Sequence, residues 1–147
     1  MTNEAAVSQF PHLVWLVEFD TGCPDIDDQH RQLMADCNAL SDLLTLETAW
    51  PRILGKSREL RDRCFEHFDE EEEFLENASY DKLRAHKKEH VIIRRQLDDI
   101  LAQVSKVAVP SRVEIEAVLL LRTILVNHFF RHDIAYKAHL LRHRVTD

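Results

Sequence analysis

Residues 83–104 read LRAHKKEHVIIRRQLDDILAQV, and this stretch decides the fold. Its apolar residues recur at the spacing that places side chains on one face of an α-helix. The stripe consists of Leu83, Ile93, Leu97, Ile100, Leu101 and Val104. Two histidines, His86 and His90, lie within this stripe between Leu83 and Ile93. The pattern therefore predicts a long helix that buries imidazole rings together with aliphatic side chains.

Three other stretches show the same periodicity, and each begins with a recognisable start signal. Asp25 or Asp27 can cap the first helix, and Pro51 suits the first turn of the second. Ser111 and Glu114 have the spacing of a capping box at the start of the last helix. We expect the four helices at about residues 25–46, 51–76, 79–104 and 111–143.

The composition agrees with an all-helical protein. Of 147 residues, 45% are hydrophobic, while only 2 are glycine and 4 are proline. Helix breakers are therefore rare, and residues 1–147 suit a single domain. Residues 1–24 contain Pro11, Gly22 and Pro24, so we expect them to form an extended arm that packs on the helices. The predicted fold is an all-α, up-down-up-down antiparallel four-helix bundle.

Charge and cysteine usage exclude several classes of function. The net charge is −7, which disfavours nucleic acid as a partner because phosphate binding needs a basic surface. No apolar run reaches membrane-spanning length, and the N-terminus lacks the basic region of a signal peptide. The three cysteines, Cys23, Cys37 and Cys64, form no CxxC pair, which points to reduced thiols. We therefore expect a cytoplasmic protein with no membrane partner, and the sequence identifies no protein partner.

Polar residues interrupt the apolar stripe of every helix. An unpartnered buried polar group costs about 1–3 kcal/mol, and a buried carboxylate costs more unless it is paired. Five histidines and one glutamate on four facing helices must therefore satisfy one another or share a cation. These inward-facing residues are His30, His67, Glu71, His86, His90 and His128. In contrast, Glu70, Glu72 and Glu73, which flank Glu71, are interpreted as a solvated face.

The number of candidate ligands indicates two metal ions. Five imidazoles and one or two carboxylates exceed the needs of one tetrahedral zinc site and suit two octahedral ions bridged by carboxylates. Imidazole with carboxylate fits iron, and less exclusively manganese, zinc or cobalt. The last helix leaves one ambiguity, because His132 shares the face of His128 while Asp133 would supply a second bridging carboxylate.

The motifs at these positions resemble those of hemerythrins, and of bacteriohemerythrins in particular. The first helix carries Asp27-Asp28-Gln29-His30, and the second carries His67 with Glu71 four residues later. The third carries the His86 and His90 pair, and the fourth carries His128 with Asp133 five residues later and then Tyr136. The resemblance extends from Trp15 to about Leu140.

This resemblance implies a ligand set and a cofactor. His86, His90 and His128 would complete the coordination of one iron, and His30 and His67 would bind the other, which keeps one position open. Glu71 and Asp133 would bridge the two iron ions together with an oxo or hydroxo group. His132 would then lie near the surface, or contact a metal ligand without binding the metal itself. We expect a π-type turn to bring Asp133 inward, and Tyr136 is a candidate neighbour of Asp133.

The function that the resemblance implies is reversible dioxygen binding, with dioxygen held as hydroperoxide, and not enzymatic turnover. The side chains expected to wall the oxygen pocket and exclude water are Leu33, Phe68, Leu125 and Phe129, with Trp15 of the arm as a cover. Two wall positions depart from the family pattern. Ile124 stands where many relatives carry tryptophan, and Phe129 stands where isoleucine is frequent.

Three other interpretations are weaker. A di-iron oxidase or peroxidase of the ferritin-like kind uses Glu-x-x-His pairs, and no glutamate in this sequence lies three residues before a histidine. A sensor of oxygen, iron or redox state would act through a partner. A metal-free structural bundle would leave the buried histidines and Glu71 unsatisfied.

Overall fold

Helices account for most of the chain in the computed structural model, which describes residues 12–46, 49–129 and 134–146. No strand occurs among these residues. The helices are α1 (Pro24–Thr45), α2 (Trp50–Asn77), α3 (Leu83–Val104), α4 (Arg112–His128) and α5 (Lys137–Thr146). Short 3-10 turns lie at Val17–Phe19 and Ile134–Tyr136. Nowhere in the described ranges does a helix combine the length and apolar character that crossing a bilayer would take.

The four long helices pack in chain order. Each of α1, α2 and α3 packs against the helix that follows it, and α4 also contacts α1, which closes the bundle. Short connections between neighbouring helices make consecutive helices antiparallel. The predicted all-α four-helix bundle is therefore confirmed.

Two apolar clusters fill the interior. The larger, which we call the main core, contains Leu33, Cys37, Leu40, Leu60, Cys64, Phe68, Ile93, Leu97, Leu121, Leu125 and Phe129 with their neighbours. The smaller, the end cluster, contains Ile26, Leu75, Tyr80, Tyr136 and Leu140. Along α1 and α2, the buried polar residues His30 and Glu71 come between members of the two clusters. The apolar packing therefore surrounds a polar layer.

The starts of α1 and α3 differ from the sequence-based expectation. Helix α1 begins at Pro24 with Cys23 at the N-cap, because proline has the backbone geometry of a first helical turn. Asp27, expected as a possible cap, instead accepts hydrogen bonds from the amide and hydroxyl of Thr21. Helix α3 begins at Leu83 and not near Ser79, because Ser79 has a φ of 54° that ends one helix and cannot start the next.

The expected last helix is divided into two segments. The capping box of Ser111 and Glu114 is present, but α4 ends at His128 and continues into a π-type turn at Phe129. A 3-10 turn then precedes α5. In the described residues, the single 111–143 helix that regular periodicity predicts is interrupted by the 3-10 turn at Ile134–Tyr136, since periodicity does not report local pitch. His132 and Asp133 lie outside the described residues.

The arm contacts α1 in its described part. The Leu13 amide donates to Asn38 Oδ1 at 2.7 Å, and Asn38 Nδ2 donates back to the Leu13 carbonyl at 3.0 Å. Leu13 also packs against the main core. Because the Asn38 side chain bonds both the amide and the carbonyl of Leu13, it fixes the position of Leu13 along α1.

The two cysteines of the main core are packing residues. Cys37 and Cys64 are fully buried, whereas Cys23 is partly exposed. Burial raises the pKa of the Cys37 thiol to about 12. The thiol therefore stays protonated at neutral pH and behaves as a small apolar side chain.

Candidate metal centre

Five histidines from α1, α2, α3 and α4 converge in the polar layer, and all five are buried. They form two groups around one glutamate. His86, His90 and His128 lie on what we call the three-histidine side, and His30 and His67 on the two-histidine side. On each side, ligand atoms of the histidines and of Glu71 all lie within 4.8 Å of one another.

Glu71 divides its two oxygens between the groups. Oε1 lies 2.5 Å from His86 Nε2 and 3.2 Å from His90 Nε2. Oε2 lies 3.3 Å from His67 Nε2 and 3.4 Å from His30 Nε2. The carboxylate is fully buried, so each oxygen faces one group of imidazoles without competition from bulk water. This is the arrangement that a carboxylate needs in order to bridge two cations.

The imidazoles meet through the same ring atom. His30 and His67 approach with Nε2 atoms 3.1 Å apart, and His90 and His128 with Nε2 atoms 3.2 Å apart. His86 turns its Nε2 toward Glu71. Regular helices place these residues on inner faces, since His67 and Glu71, and likewise His86 and His90, lie one turn apart.

Outer hydrogen bonds set the tautomer of one imidazole on each side. His67 Nδ1 lies 2.7 Å from Gln29 Oε1, and His90 Nδ1 lies 2.7 Å from Glu72 Oε2. An amide oxygen and a carboxylate both accept, so each Nδ1 carries the proton. In the neutral ring the Nε2 atom is then the acceptor nitrogen, and its lone pair points inward. The interpretation of Glu72 as a merely solvated residue is therefore wrong.

The donor set fits a cation. The Nε2 lone pairs of His67 and His90 face the oxygens of Glu71 at 3.3 and 3.2 Å. Acceptors that face acceptors in a dry interior repel one another, whereas a cation between them removes the repulsion. Imidazole nitrogen with carboxylate oxygen suits iron and similar divalent metals.

Tyr136 contacts the bridging position directly. Its hydroxyl donates to Glu71 Oε2 at 2.9 Å, and the whole residue is fully buried. The structure brings Tyr136 to Glu71, and its expected neighbour Asp133 lies outside the described residues. Its ring also packs against His86, with centroids 5.7 Å apart, so it joins the end cluster to the three-histidine side.

Phe68 and Phe129, two of the expected wall residues, lie among the imidazoles. Phe68 stacks on His90 with ring centroids 3.9 Å apart and an interplanar angle of 12°. Phe129 lies 5.3 Å from His30 and 6.0 Å from His67 between centroids. These rings cover the cluster with apolar surface, which excludes water from it.

The remaining wall residues are placed differently from one another. Leu33 is fully buried and lines, with His67, a cleft of about 160 Å³ between α1 and α2. Leu125 is fully buried within the main core. Trp15 is only partly buried, and its indole donates to Asp20 and lies 4.5 Å from the guanidinium carbon of Arg31. The structure therefore puts Trp15 against half-buried residues of the arm and against the exposed Arg31 of α1.

Comparisons with known proteins agree with this geometry. The family model described as the hemerythrin HHE cation binding domain matches residues 21–140. A bacteriohemerythrin of Pseudomonas paraeruginosa is 31% identical over 92% of this chain and 86% of its own length. A myohemerythrin of Theromyzon tessulatum is 29% identical over 86% of this chain and 92% of its own length.

A bacteriohemerythrin of Clostridium acetobutylicum is 38% identical over 52% of this chain, and the match spans 62% of that relative, which is less than two thirds of its length. No solved structure gives a significant match. The matched family region contains each of the residues His30, His67, Glu71, His86, His90 and His128.

Proposed function

The chain belongs to the hemerythrin family, and from that premise we propose that it binds dioxygen reversibly at a pair of iron ions. The observation that carries the proposal is the division of Glu71, whose two oxygens face two separate groups of imidazoles. One metal would need only one such group. Two groups that share a buried carboxylate support two bridged ions.

The proposed ligands follow these groups. His86, His90 and His128 would hold one iron, and His30 and His67 the other. Glu71 would bridge them, and Asp133 would be the second bridging carboxylate. The iron pair would supply the electrons that reversible dioxygen binding requires.

The unequal numbers of histidines assign different roles to the two sides. The two-histidine side offers one nitrogen fewer, so an ion there would keep a position for an exogenous ligand. Phe129 packs beside both His30 and His67, and Leu33 lies next to His67 in the α1–α2 cleft. An apolar surface at this position favours a small uncharged ligand and disfavours water.

Charge compensation supports reversibility. Glu71 places one negative charge between the two groups, and Glu72 places another behind His90. The Tyr136 hydroxyl donates to Glu71, so the carboxylate keeps one orientation. A centre whose surrounding charges and hydrogen bonds are fixed can change redox state with little rearrangement of the protein.

Anaerobic loading with ferrous ion, followed by exposure to air, tests the proposal. We expect two iron ions per chain and a visible charge-transfer band that appears with dioxygen and disappears when dioxygen is removed. Glu71→Gln should lose the second ion, because an amide replaces the bridging charge. One ion per chain, or a band that persists after deoxygenation, would contradict the proposal. Continued oxygen consumption with a reductant would favour an oxidase instead.

A further inference from the structure

Gln29 joins the two helices that carry the two-histidine side. It precedes His30 on α1, and its Oε1 atom accepts a hydrogen bond from His67 Nδ1 on α2 at 2.7 Å. Its Nε2 atom donates to Glu70 on the same face of α2. The side chain is half-buried at the rim of the α1–α2 cleft. Both ends of one amide are therefore used, and both partners lie on the neighbouring helix.

Glu70 determines which way the amide of Gln29 points. A carboxylate can only accept, so the NH₂ end of Gln29 must face Glu70 and the oxygen end must face His67. The oxygen can only accept, so His67 must carry a proton on Nδ1, and in the neutral ring Nε2 is the acceptor nitrogen. One exposed glutamate thus fixes the tautomer of a buried imidazole through an intervening amide.

We propose that Gln29, oriented by Glu70, is the positioning residue of the two-histidine side and keeps that side the weaker electron donor of the two. The proposal rests on the proposed function for the identity of the ions. The two sides differ in the hydrogen-bond acceptor that one of their histidines contacts. His90, on the three-histidine side, donates to the Glu72 carboxylate, whereas His67 donates to a neutral amide.

The charge of the outer acceptor matters because hydrogen bonds to carboxylates are the stronger kind. A charged acceptor polarises the N–H bond and makes the opposite ring nitrogen a better electron donor to a metal. Glu72 would therefore favour the ferric state on its side more than Gln29 does on the other. The imidazole that donates electrons more weakly, His67, therefore belongs to the two-histidine side, which is also the side proposed to keep a position open for an exogenous ligand.

Gln29→Leu, with Gln32→Leu as its matched control, tests the positioning role. Gln32 lies one turn further along α1, lines the same cleft, and bonds to Asp36 instead of to a histidine. In nitrogen-15 NMR of the metal-free protein, we expect wild type and Q32L to hold His67 as the Nδ1–H tautomer. Q29L should show a mixture of tautomers and should bind ferrous ion about 10- to 100-fold more weakly at one of two sites.

An exchange of charges tests the electronic role. Q29E alone sets two carboxylates against each other and should weaken ferrous binding. The Q29E/E70Q double variant restores a donor and an acceptor at the same contact, and also gives His67 a charged acceptor. We expect it to recover the wild-type tautomer and affinity, with a lower midpoint potential of the bound metal than in wild type.

The possible results separate this inference from the proposed function. An unchanged His67 tautomer in Q29L, equal losses in Q29L and Q32L, or an unchanged potential in Q29E/E70Q would each overturn the inference. If wild type binds metal without a reversible dioxygen band, the proposed function fails. The tautomer of His67 in the metal-free protein still tests the role of Gln29 in that case.

Discussion

Two buried carboxylates of the bundle, Asp36 and Glu71, have different kinds of neighbouring side chains. Asp36 in α1 is 3% exposed and lies 3.1 Å from Lys56 Nζ and 3.1 Å from Arg63 NH1, so cations of α2 neutralise it. Glu71 in α2 is fully buried, and its neighbours include four imidazoles and the hydroxyl of Tyr136. The chain therefore supplies lysine and arginine countercharges to Asp36, and imidazoles with one hydroxyl donor to Glu71.

This difference explains why the surroundings of Asp36 need no bound ion, whereas the surroundings of Glu71 can bind a metal. Around Asp36, Lys56 and Arg63 supply opposite charges from the protein, and the adjoining core is apolar. Around Glu71 the ring nitrogens of His67 and His90 are oriented as acceptors by Gln29 and Glu72. These acceptor nitrogens lie 3.3 and 3.2 Å from the oxygens of Glu71, so a cation between them would remove a repulsion. Asp36, in contrast, already has cationic partners in the protein.

The largest test of this contrast is metal loading. A metal that binds only the folded state should stabilise the protein by about 4 kcal/mol at a free concentration a thousandfold above its dissociation constant. Chemical denaturation with and without ferrous ion measures this gain, and hydrogen exchange should locate it around Glu71 and not around Asp36. Glu71→Gln should lose most of the gain. An equal gain at both carboxylates would break the contrast.

The next largest effect should come from Asp36→Asn. Removal of one partner from a buried ion pair costs about 3–5 kcal/mol, but Lys56 and Arg63 are partly exposed and can turn to solvent. We therefore expect a loss of about 2 kcal/mol in the free energy of unfolding. The loss should be the same with and without metal, and the metal content should stay unchanged. A reduced metal content would show that the two regions are coupled.

A smaller effect should follow from Tyr136→Phe. The variant removes the hydroxyl that donates to Glu71, and a hydrogen bond to a charged group is worth about 1.5–3 kcal/mol. In the metal-free protein, we expect the free energy of unfolding, measured by denaturation, to fall by an amount near the lower limit of this range. In the iron-loaded protein, we expect a chelator to remove the iron faster than from wild type. Tyr80→Phe is the matched control, because Tyr80 packs edge-on against Tyr136 with centroids 6.0 Å apart in the same cluster. Equal effects of the two variants would assign the role to packing.

The contrast between the two carboxylates was only partly predictable from the sequence. Helical periodicity predicts the bundle and places His30, His67 and Glu71 on inner faces, because polar residues within an apolar stripe must be buried. Periodicity cannot reveal the pairing of Gln29 with His67, since that contact depends on how α1 and α2 sit against each other. The hydrogen bond between Glu72 and His90 was not predicted for the same reason, although Glu72 directly follows the buried Glu71 in the sequence.

Local backbone geometry sets another limit on prediction. Ser79 delays the start of α3 through a positive φ, which serine rarely adopts and which no spacing rule anticipates. The π-type turn at Phe129 could be expected only from the family resemblance, because regular periodicity assumes a constant pitch. The role of Asp133 therefore remains a prediction from family resemblance.

The smallest effect should come from the capping box at the start of α4, which lies far along the chain from the histidine of that helix. Ser111 accepts from the Val113 amide, and Ser→Ala at an N-cap costs about 1 kcal/mol. The Ser111 amide and hydroxyl both donate to Glu114 and hold the pKa of its carboxyl below its ordinary value. Because the folded-state pKa is the lower one, the stabilisation is present above the unfolded-state pKa and is lost as the pH falls through the folded-state pKa. Denaturation across the acid range should show this dependence in wild type and in Glu116→Gln but not in Glu114→Gln, and metal loading should not alter it.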